Sequence, residues 1–161
     1  MERARLSPET TWVGFEIRYK RSVRTLEKAN RLEIPNVYII RTDGRKLDDF
    51  FEKSSVQTLY INFPDPWEKL RVRKHRMLNS DVLDSAAKIL VPGGILSVKT
   101  DHANYFKDFL ADAAATNAFE TEAMSEDLHA SEYATGNVLT EFERLFLSKG
   151  LPIHYLRMRR S

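Results

Sequence analysis

This 161-residue sequence has no cysteine, no long apolar run and little net charge, and the first two absences each exclude a class of structure. There is no cysteine, so disulfide bonds and thiolate metal sites are excluded and we expect a cytoplasmic location. No apolar run approaches the roughly 20 residues that span a bilayer, and no apolar segment follows a basic start, so we expect no membrane partner. The formal net charge is only +2, which does not by itself indicate a protein that binds nucleic acid.

The composition that is present is that of an ordinary globular protein. Hydrophobic residues make up 42% and charged residues 30%, and the length suits a single domain over residues 1–161. Positive charge gathers at 69–76 and again at Arg157, Arg159 and Arg160, whereas 120–132 is acidic. The two basic patches suit either a phosphate backbone or a solvated surface. The segment 156–160 reads as an edge strand with outward arginines.

Apolar segments of strand and helix period alternate along the chain. The pattern predicts strands at 11–17, 36–42, 58–63, 95–99, 119–124 and 153–159, and helices at 19–32, 79–90 and 105–115. Val91-Pro92-Gly93-Gly94 is expected to end the second helix and turn into the next strand. The polar stretch 125–142 reads as a long loop with a short helix. This alternation predicts an α/β fold with a mostly parallel sheet and helices on both faces.

The segment Asn62-Phe63-Pro64-Asp65-Pro66-Trp67 follows an apolar strand and fixes one carboxylate between two prolines. Proline restricts its own φ and the conformation of the preceding residue, so Asp65 is held stiffly. Basic residues follow within one or two helical turns. A fixed acid, a large aromatic and a basic strip would suit an enzyme that acts on a polyanion. The alternative is a proline-rich turn beside a solvated helix face.

Four acids lie at or just past the carboxyl ends of predicted strands: Glu16, Asp43, Asp65 and Asp101. In open α/β sheets this edge forms the ligand crevice, and an acid there commonly binds ribose hydroxyls. Ordinary turn chemistry is the alternative, because Asp favours turns. Metal binding is a weaker use of these acids, since they are spread over separate strands, and the four histidines show no ligand spacing.

Together these motifs resemble the bacterial tRNA (guanine-N7)-methyltransferase family. Phe63-Pro64-Asp65-Pro66-Trp67 with Lys69 is the element most specific to that family. The similar segments elsewhere are Gly14-Phe15-Glu16-Ile17-Arg18, Asp43-Gly44, Pro92-Gly93-Gly94, Thr100-Asp101 and Thr140-Glu141-Phe142-Glu143. The resemblance runs from about residue 12 to the C-terminus. It implies a Rossmann-like class I fold and methyl transfer from S-adenosylmethionine to N7 of a guanine in the tRNA variable loop.

The resemblance also implies roles for individual residues, with no metal. Glu16, Asp43 and Asp65 would line the cofactor side, and Asp65 would also be the catalytic acid. The expected tRNA contacts are Lys69, Asp101, Thr140 and Glu143, with phosphate contacts at Arg71, Arg73, Lys74 and Arg76. Trp67 would stack on a base or pack in the core. The oligomeric state, monomer or homodimer, stays open.

One element of the family has no counterpart here. Family members begin their sheet with a strand that ends in a Gly-rich turn, whereas the six glycines of this sequence include no Gly-x-Gly cluster. The sheet is therefore expected to lack its first, central strand, between those at 11–17 and 58–63, as in a fragment or a late-called start. We therefore expect the chain as given to bind the cofactor poorly or not at all. Two alternatives are a catalytically inactive RNA-binding module and a nucleotide-binding α/β domain with an unrelated ligand.

Overall fold

The computed structural model describes all residues from Met1 to Ser161. The chain divides into two compact units, Met1–Gly44 and Arg45–Ser161.

The first unit contains two parallel strands and two helices. In chain order these are α1 (Glu2–Leu6), β1 (Trp12–Phe15), α2 (Tyr19–Arg31) and β2 (Val37–Ile40). The two strands pair in parallel from Trp12 opposite Val37 to Phe15 opposite Ile40. The Asn36 side chain donates to the carbonyls of Ala4, Ser7 and Thr10 at 2.8–3.1 Å. This amide therefore fixes the chain between α1 and β1 against the start of β2.

The second unit is built on a four-stranded sheet. Its elements are β3 (Val56–Asn62), α3 (Ser80–Ile89), β4 (Leu90–Thr100), α4 (Ala103–Ala115), β5 (Phe119–Ser125), α5 (Glu141–Leu147) and β6 (His154–Arg160). Short 3₁₀ helices lie at Leu47–Asp49, Leu70–His75, Leu128–Ala130 and Glu132–Ala134. The strand order is β3-β4-β6-β5, with β3 parallel to β4 and β6 antiparallel to both of its neighbours. Three strands therefore run one way and β6 runs the other.

The α/β class and the positions of all six predicted strands are confirmed. The interior of the second unit contains Leu96 and Val98 of β4, Leu156 and Met158 of β6, and Phe109 of α4, all almost inaccessible to solvent. The strands form two separate sheets, one of β1 and β2 and one of β3, β4, β6 and β5.

The prediction that 156–160 is an edge strand is wrong. β6 pairs on one side with β4 and on the other with β5, so it lies inside the sheet. Two of its arginines, Arg157 and Arg159, form ion pairs with Glu122 of β5, and Arg160 donates to the carbonyl of Leu90. This basic patch is therefore largely engaged within the protein, because the cross-strand acid and a backbone carbonyl occupy its guanidinium groups.

The segment Val91–Gly94 is also not a turn that precedes the strand. β4 begins at Leu90, directly after α3, and Leu90 already pairs with Val56. The next pairing joins Thr58 to Ile95, so the residues between form a bulge within the strand. A Cβ atom at Gly94 would lie 2.8 Å from the Val91 carbonyl oxygen, which explains why this position needs glycine.

Candidate active site

In the second unit, two of the predicted acids share one edge of the sheet. Asp101 directly follows β4, and Asp65 follows β3 by three residues. β3 and β4 are parallel and pair up to Asn62 opposite Lys99, so their carboxyl ends meet at this edge. The Phe63 N–H continues the ladder by donating to the Lys99 carbonyl at 2.8 Å. The sheet itself therefore brings the two acids to the same edge.

In the first unit, Glu16 and Asp43 follow the parallel strands β1 and β2 in the same way. The Glu16 carboxylate accepts the Arg18 N–H at 2.8 Å and lies 4.0 Å from the Arg21 guanidinium. These contacts hold a half-buried carboxylate at a strand end, where it can accept hydrogen bonds from vicinal hydroxyls. Binding of a cofactor ribose by Glu16 and Asp43 stays a prediction.

The backbone around Asp65 adopts a rare conformation on both sides of the acid. Phe63 has φ = 52° and Trp67 has φ = 41°, and both values are unusual for residues other than glycine. Such a conformation persists only where the surroundings enforce it, and it is commonest at functional sites. The Phe63 ring packs against Phe142 and Phe146 of α5, with its centroid 5.3 Å from that of Phe146. Aromatic packing and the ladder bond therefore anchor the segment on the side that precedes Asp65.

Two polar contacts anchor the side that follows Asp65. Arg76 Nε donates to the Pro66 carbonyl at 2.7 Å. Glu68 Oε1 lies 2.8 Å from His102 Nε2, while His102 Nδ1 accepts the Tyr105 N–H at the start of α4. The carboxylate of Asp65 is thus carried by a segment that the protein holds at both ends.

The predicted basic strip forms the 3₁₀ helix Leu70–His75 and its flanks. Most of its cations are exposed and accessible to a polyanion, namely Lys69, Arg71, Arg73 and Lys74. Arg76 differs, because it is 7% exposed and ion-paired with Asp108. Trp67 is 41% exposed and lies 5.6 Å from the His75 ring, so it is not part of the core. Stacking of Trp67 on a base stays a prediction.

A buried ion pair lies beneath the end of β4. Lys99 Nζ donates to Glu143 Oε2 at 2.9 Å, and the residues are 3% and 0% exposed. The same carboxylate accepts the Asn137 side chain at 2.6 Å and the Thr140 N–H at 3.1 Å, and it lies 2.9 Å from His129 Nε2. Burial by itself raises the pKa of Glu143, but the hydrogen bonds from Lys99, Asn137 and Thr140 outweigh it and hold the pKa below its ordinary value.

Thr140 and Glu143 also form a capping box at the start of α5. Thr140 Oγ1 accepts the Glu143 N–H at 3.0 Å while Glu143 accepts the Thr140 N–H, so the two side chains satisfy one donor each. In the sequence, this Thr-x-x-Glu motif predicts only a substrate contact, and nothing there indicates that Lys99, Asn137 and His129 meet Glu143. The capping-box spacing was the signal that could have revealed α5. Glu143 is 0% exposed and both of its oxygens are engaged by protein groups, so it does not face a substrate directly. Contact between Thr140 and tRNA stays a prediction.

The comparisons with known proteins first define the class. Residues 1–156 match the family described as "Putative methyltransferase". An rRNA methylase from Streptococcus thermophilus has a similar fold, with a TM-score of 0.62 at 12% identity, over 93% of this chain and 73% of that one. Geranyl diphosphate C-methyltransferase from Streptomyces coelicolor A3(2), solved with S-adenosyl-L-homocysteine, gives 0.58 at 16% identity, over 95% and 64%. The fold is that of the class I S-adenosylmethionine-dependent methyltransferases.

Sequence relatives narrow the class to a family. The tRNA (guanine-N(7)-)-methyltransferase of Lachnoclostridium phytofermentans is 36% identical over 150 residues, which cover 93% of this chain and 70% of the relative. The chain belongs to the tRNA (guanine-N7)-methyltransferase family. The bifunctional glycosyltransferase/methyltransferase of Fusobacterium nucleatum subsp. nucleatum is also 36% identical, and the chain spans 24% of its length. No helix in this chain is both long and apolar enough to cross a membrane.

Proposed function

We propose that this protein transfers a methyl group from S-adenosylmethionine to N7 of a guanine in the tRNA variable loop. The observation that carries the proposal is the anchored Asp65 segment, which runs directly into an exposed basic helix in a chain of this family. Asp65 supplies a fixed negative charge beside the reacting base, and the basic helix attracts the polyanion. The two are adjacent in sequence, so an RNA held by the helix brings a base towards the acid.

The basic helix provides the tRNA backbone contacts in this proposal. Lys69 and the exposed cations of the strip neutralise phosphates and fix the position of the RNA without reading its sequence. Asp101 and Thr140 are both half-exposed and contact the tRNA from the ends of β4 and of the loop before α5. Glu143 supports this surface from inside the protein, since both of its oxygens are engaged by protein groups.

Glu16 and Asp43 would hold the cofactor ribose in this proposal, each from the end of a strand of the first unit. When bound, S-adenosylmethionine would supply an electrophilic methyl group, and its sulfur would keep the electron pair of the broken S–C bond as a neutral thioether. Guanine N7 is already a neutral lone pair, so the protein needs to align it rather than deprotonate it. The purine gains positive charge as the bond to N7 forms. Asp65 stabilises this charge or binds the amino edge of the guanine, and it acts as a fixed anion rather than as a base.

The test is a methylation assay on unmodified tRNA with labelled S-adenosylmethionine. The protein is expressed from the complete reading frame that encodes this chain, beside residues 1–161 alone. The complete form is expected to label one guanine of the variable loop at N7, mapped by chemical cleavage at 7-methylguanine. Asp65→Ala is expected to lower kcat about 100-fold, since a preorganised charge is lost. The matched control is Glu120→Gln on the exposed face of β5, which is expected to leave kcat unchanged.

The absence of a Gly-x-Gly cluster favours one second candidate, an RNA-binding module without catalysis. This candidate predicts tRNA binding that weakens steeply with salt, with no methylation even by the complete reading frame. If that form binds tRNA but neither binds S-adenosylmethionine nor methylates guanine, the enzyme proposal is wrong and the module stands. If it binds no tRNA at all, both candidates fail and an unrelated nucleotide ligand is favoured.

A further inference from the structure

Arg76 lies at the end of the basic strip but has none of the accessibility of its neighbours. Its side chain is 8% exposed, whereas the preceding cations of the strip face solvent. A guanidinium in this environment cannot meet a phosphate without first leaving its protein partners. Sequence alone placed Arg76 among the phosphate contacts, because a run of cations does not reveal which member turns inward.

Three groups surround the Arg76 guanidinium. Nε donates to the Pro66 carbonyl at 2.7 Å, and Nη1 donates to Asp108 Oδ2 at 2.6 Å. The Cζ atom lies 4.7 Å from the centre of the Tyr105 ring, within range of a cation–π interaction. Asp108 and the Tyr105 ring therefore fix the position of the Arg76 guanidinium. The guanidinium in turn fixes the peptide group between Pro66 and Trp67.

From this geometry we propose that Arg76 is a positioning residue for Asp65, an inference that rests on the proposed function. The carbonyl that Arg76 binds belongs to the residue directly after Asp65. Proline already fixes φ at Pro66, and the bond to its carbonyl fixes the remaining rotation of that residue. The same bond stabilises the left-handed conformation of Trp67, which is unfavourable for a residue with a Cβ. Arg76 thereby helps to fix the orientation of the Asp65 carboxylate at the edge of the sheet.

Lysine cannot replace arginine at such a site. An ammonium is a point charge on a flexible stem, whereas the guanidinium presents donors in a fixed fork to two acceptors at once. Arg76→Lys therefore keeps the charge but loses the simultaneous bonds to Pro66 and Asp108. A residue whose task is phosphate neutralisation tolerates this change, and a residue whose task is positioning does not. The substitution separates the two roles.

The experiment compares wild type with Arg76→Lys, Arg76→Gln and Asp108→Asn in the complete reading frame. The readouts are kcat and KM for tRNA, the salt dependence of tRNA binding, and hydrogen exchange of residues 63–68. Arg76→Lys and Arg76→Gln are expected to lower kcat about tenfold or more, because small misplacements of a catalytic group are costly. Asp108→Asn is expected to lower kcat severalfold. Exchange at 63–68 should rise in all three variants, and the salt slope should stay at the wild-type value.

Two controls define the alternative outcomes. Arg73→Gln removes an exposed cation of the strip, so it should weaken tRNA binding and reduce the salt slope by about one. Lys107→Gln removes an exposed cation beside Asp108 and is expected to change neither binding nor kcat. If Arg76→Gln behaves like Arg73→Gln, Arg76 is a phosphate contact and the inference is overturned. Asp108→Asn keeps a hydrogen-bond acceptor, and the Asp108 side chain is only partly buried, so we expect this variant to fold. It therefore tests the positioning role if the Arg76 variants do not fold.

The readouts also separate this inference from the proposed function. If wild type methylates tRNA while the Arg76 and Asp108 variants keep kcat and exchange at 63–68 within twofold of wild type, the function stands and the inference is wrong. If wild type does not methylate tRNA but exchange at 63–68 rises in the variants alone, Arg76 positions the segment and the proposed function is wrong. A loss of kcat without any local change in exchange contradicts positioning.

Discussion

Replacing Glu143 by glutamine should destabilise the second unit by several kilocalories per mole. The substitution keeps the size of the side chain but removes the anion that faces Lys99 at 2.9 Å. Lys99 is 3% exposed, so its ammonium cannot turn to water without disrupting the end of β4. Removing one partner of a buried ion pair costs about 3–5 kcal/mol, because the remaining charge is left without compensation. We therefore expect the free energy of unfolding to fall by about that amount.

Urea unfolding followed by circular dichroism measures this loss. The matched control is Glu132→Gln, an exposed acid in the same loop region, which should change stability by less than about 0.5 kcal/mol. A double-mutant cycle with Lys99→Met isolates the coupling between the two charges. The double variant should lose much less stability than the sum of the single variants. If Glu143→Gln costs less than about 1 kcal/mol, or if the cycle shows no coupling, the two charges do not stabilise the fold as a buried ion pair.

The same ion pair predicts how stability responds to acid. The pKa of Glu143 lies below its ordinary value of 4.5 in the folded protein, so the unfolded chain binds the proton more readily. The contribution of Glu143 is therefore complete above about pH 5, and it is lost as the pH falls through the depressed pKa. The Glu143→Gln variant lacks this contribution at every pH. A wild-type stability that is flat from pH 5 down to pH 2 would contradict the assignment.

Three further predictions concern the stability contributed by single residues. Thr140→Ala removes the hydroxyl that accepts the Glu143 N–H and should lower the free energy of unfolding in urea by about 0.5–2 kcal/mol. Thr140→Ser keeps a hydroxyl and should retain most of this stability. An equal loss in both variants would contradict the capping role. Tyr105→Phe removes the hydroxyl that accepts the Leu78 N–H at 2.6 Å. The free energy of unfolding should fall by about 1–3 kcal/mol, because a buried donor is left unsatisfied. An unchanged free energy of unfolding would show that this hydrogen bond does not stabilise the fold. Burial lowers the pKa of His154, so its neutral form is favoured on folding, and wild-type stability should fall as the pH drops below about 6.5. His154→Phe should flatten this decline between pH 7 and 5, and an unchanged slope would assign the decline to another group.

The sequence predicted the local elements well because their signals are local. The strands β1 to β6 all lie where alternating or β-branched runs occur, and the helices α2, α3 and α4 follow the apolar period. The strand-end acids were predicted for the same reason, since parallel pairing places them at a common edge within each unit. Family motifs then supplied roles that periodicity alone does not contain.

The errors concern features that depend on tertiary contacts. The position of β6 inside the sheet follows from its pairing with β4 and β5, and nothing in the run 154–160 specifies two partners. Arg76 and Lys99 belong to cationic or strand patterns in the sequence, yet both are buried because acids distant in the chain neutralise them. A charged residue reads as surface until its partner is known. Sequence therefore located the candidate site better than it located the side chains that support it.

The strand order makes completion of the second unit's sheet depend on a long-range pairing. β5 precedes β6 in the chain but pairs only with β6, so β5 is connected to β4 only through β6. Closing that pairing requires residues 101–153 to be looped out first, and non-local closure of this kind slows folding. Until then one side of β4 presents unsatisfied backbone groups. The anion that faces the Lys99 ammonium comes from the same stretch, so the segment that connects β4 to β6 also neutralises the charge buried at the end of β4.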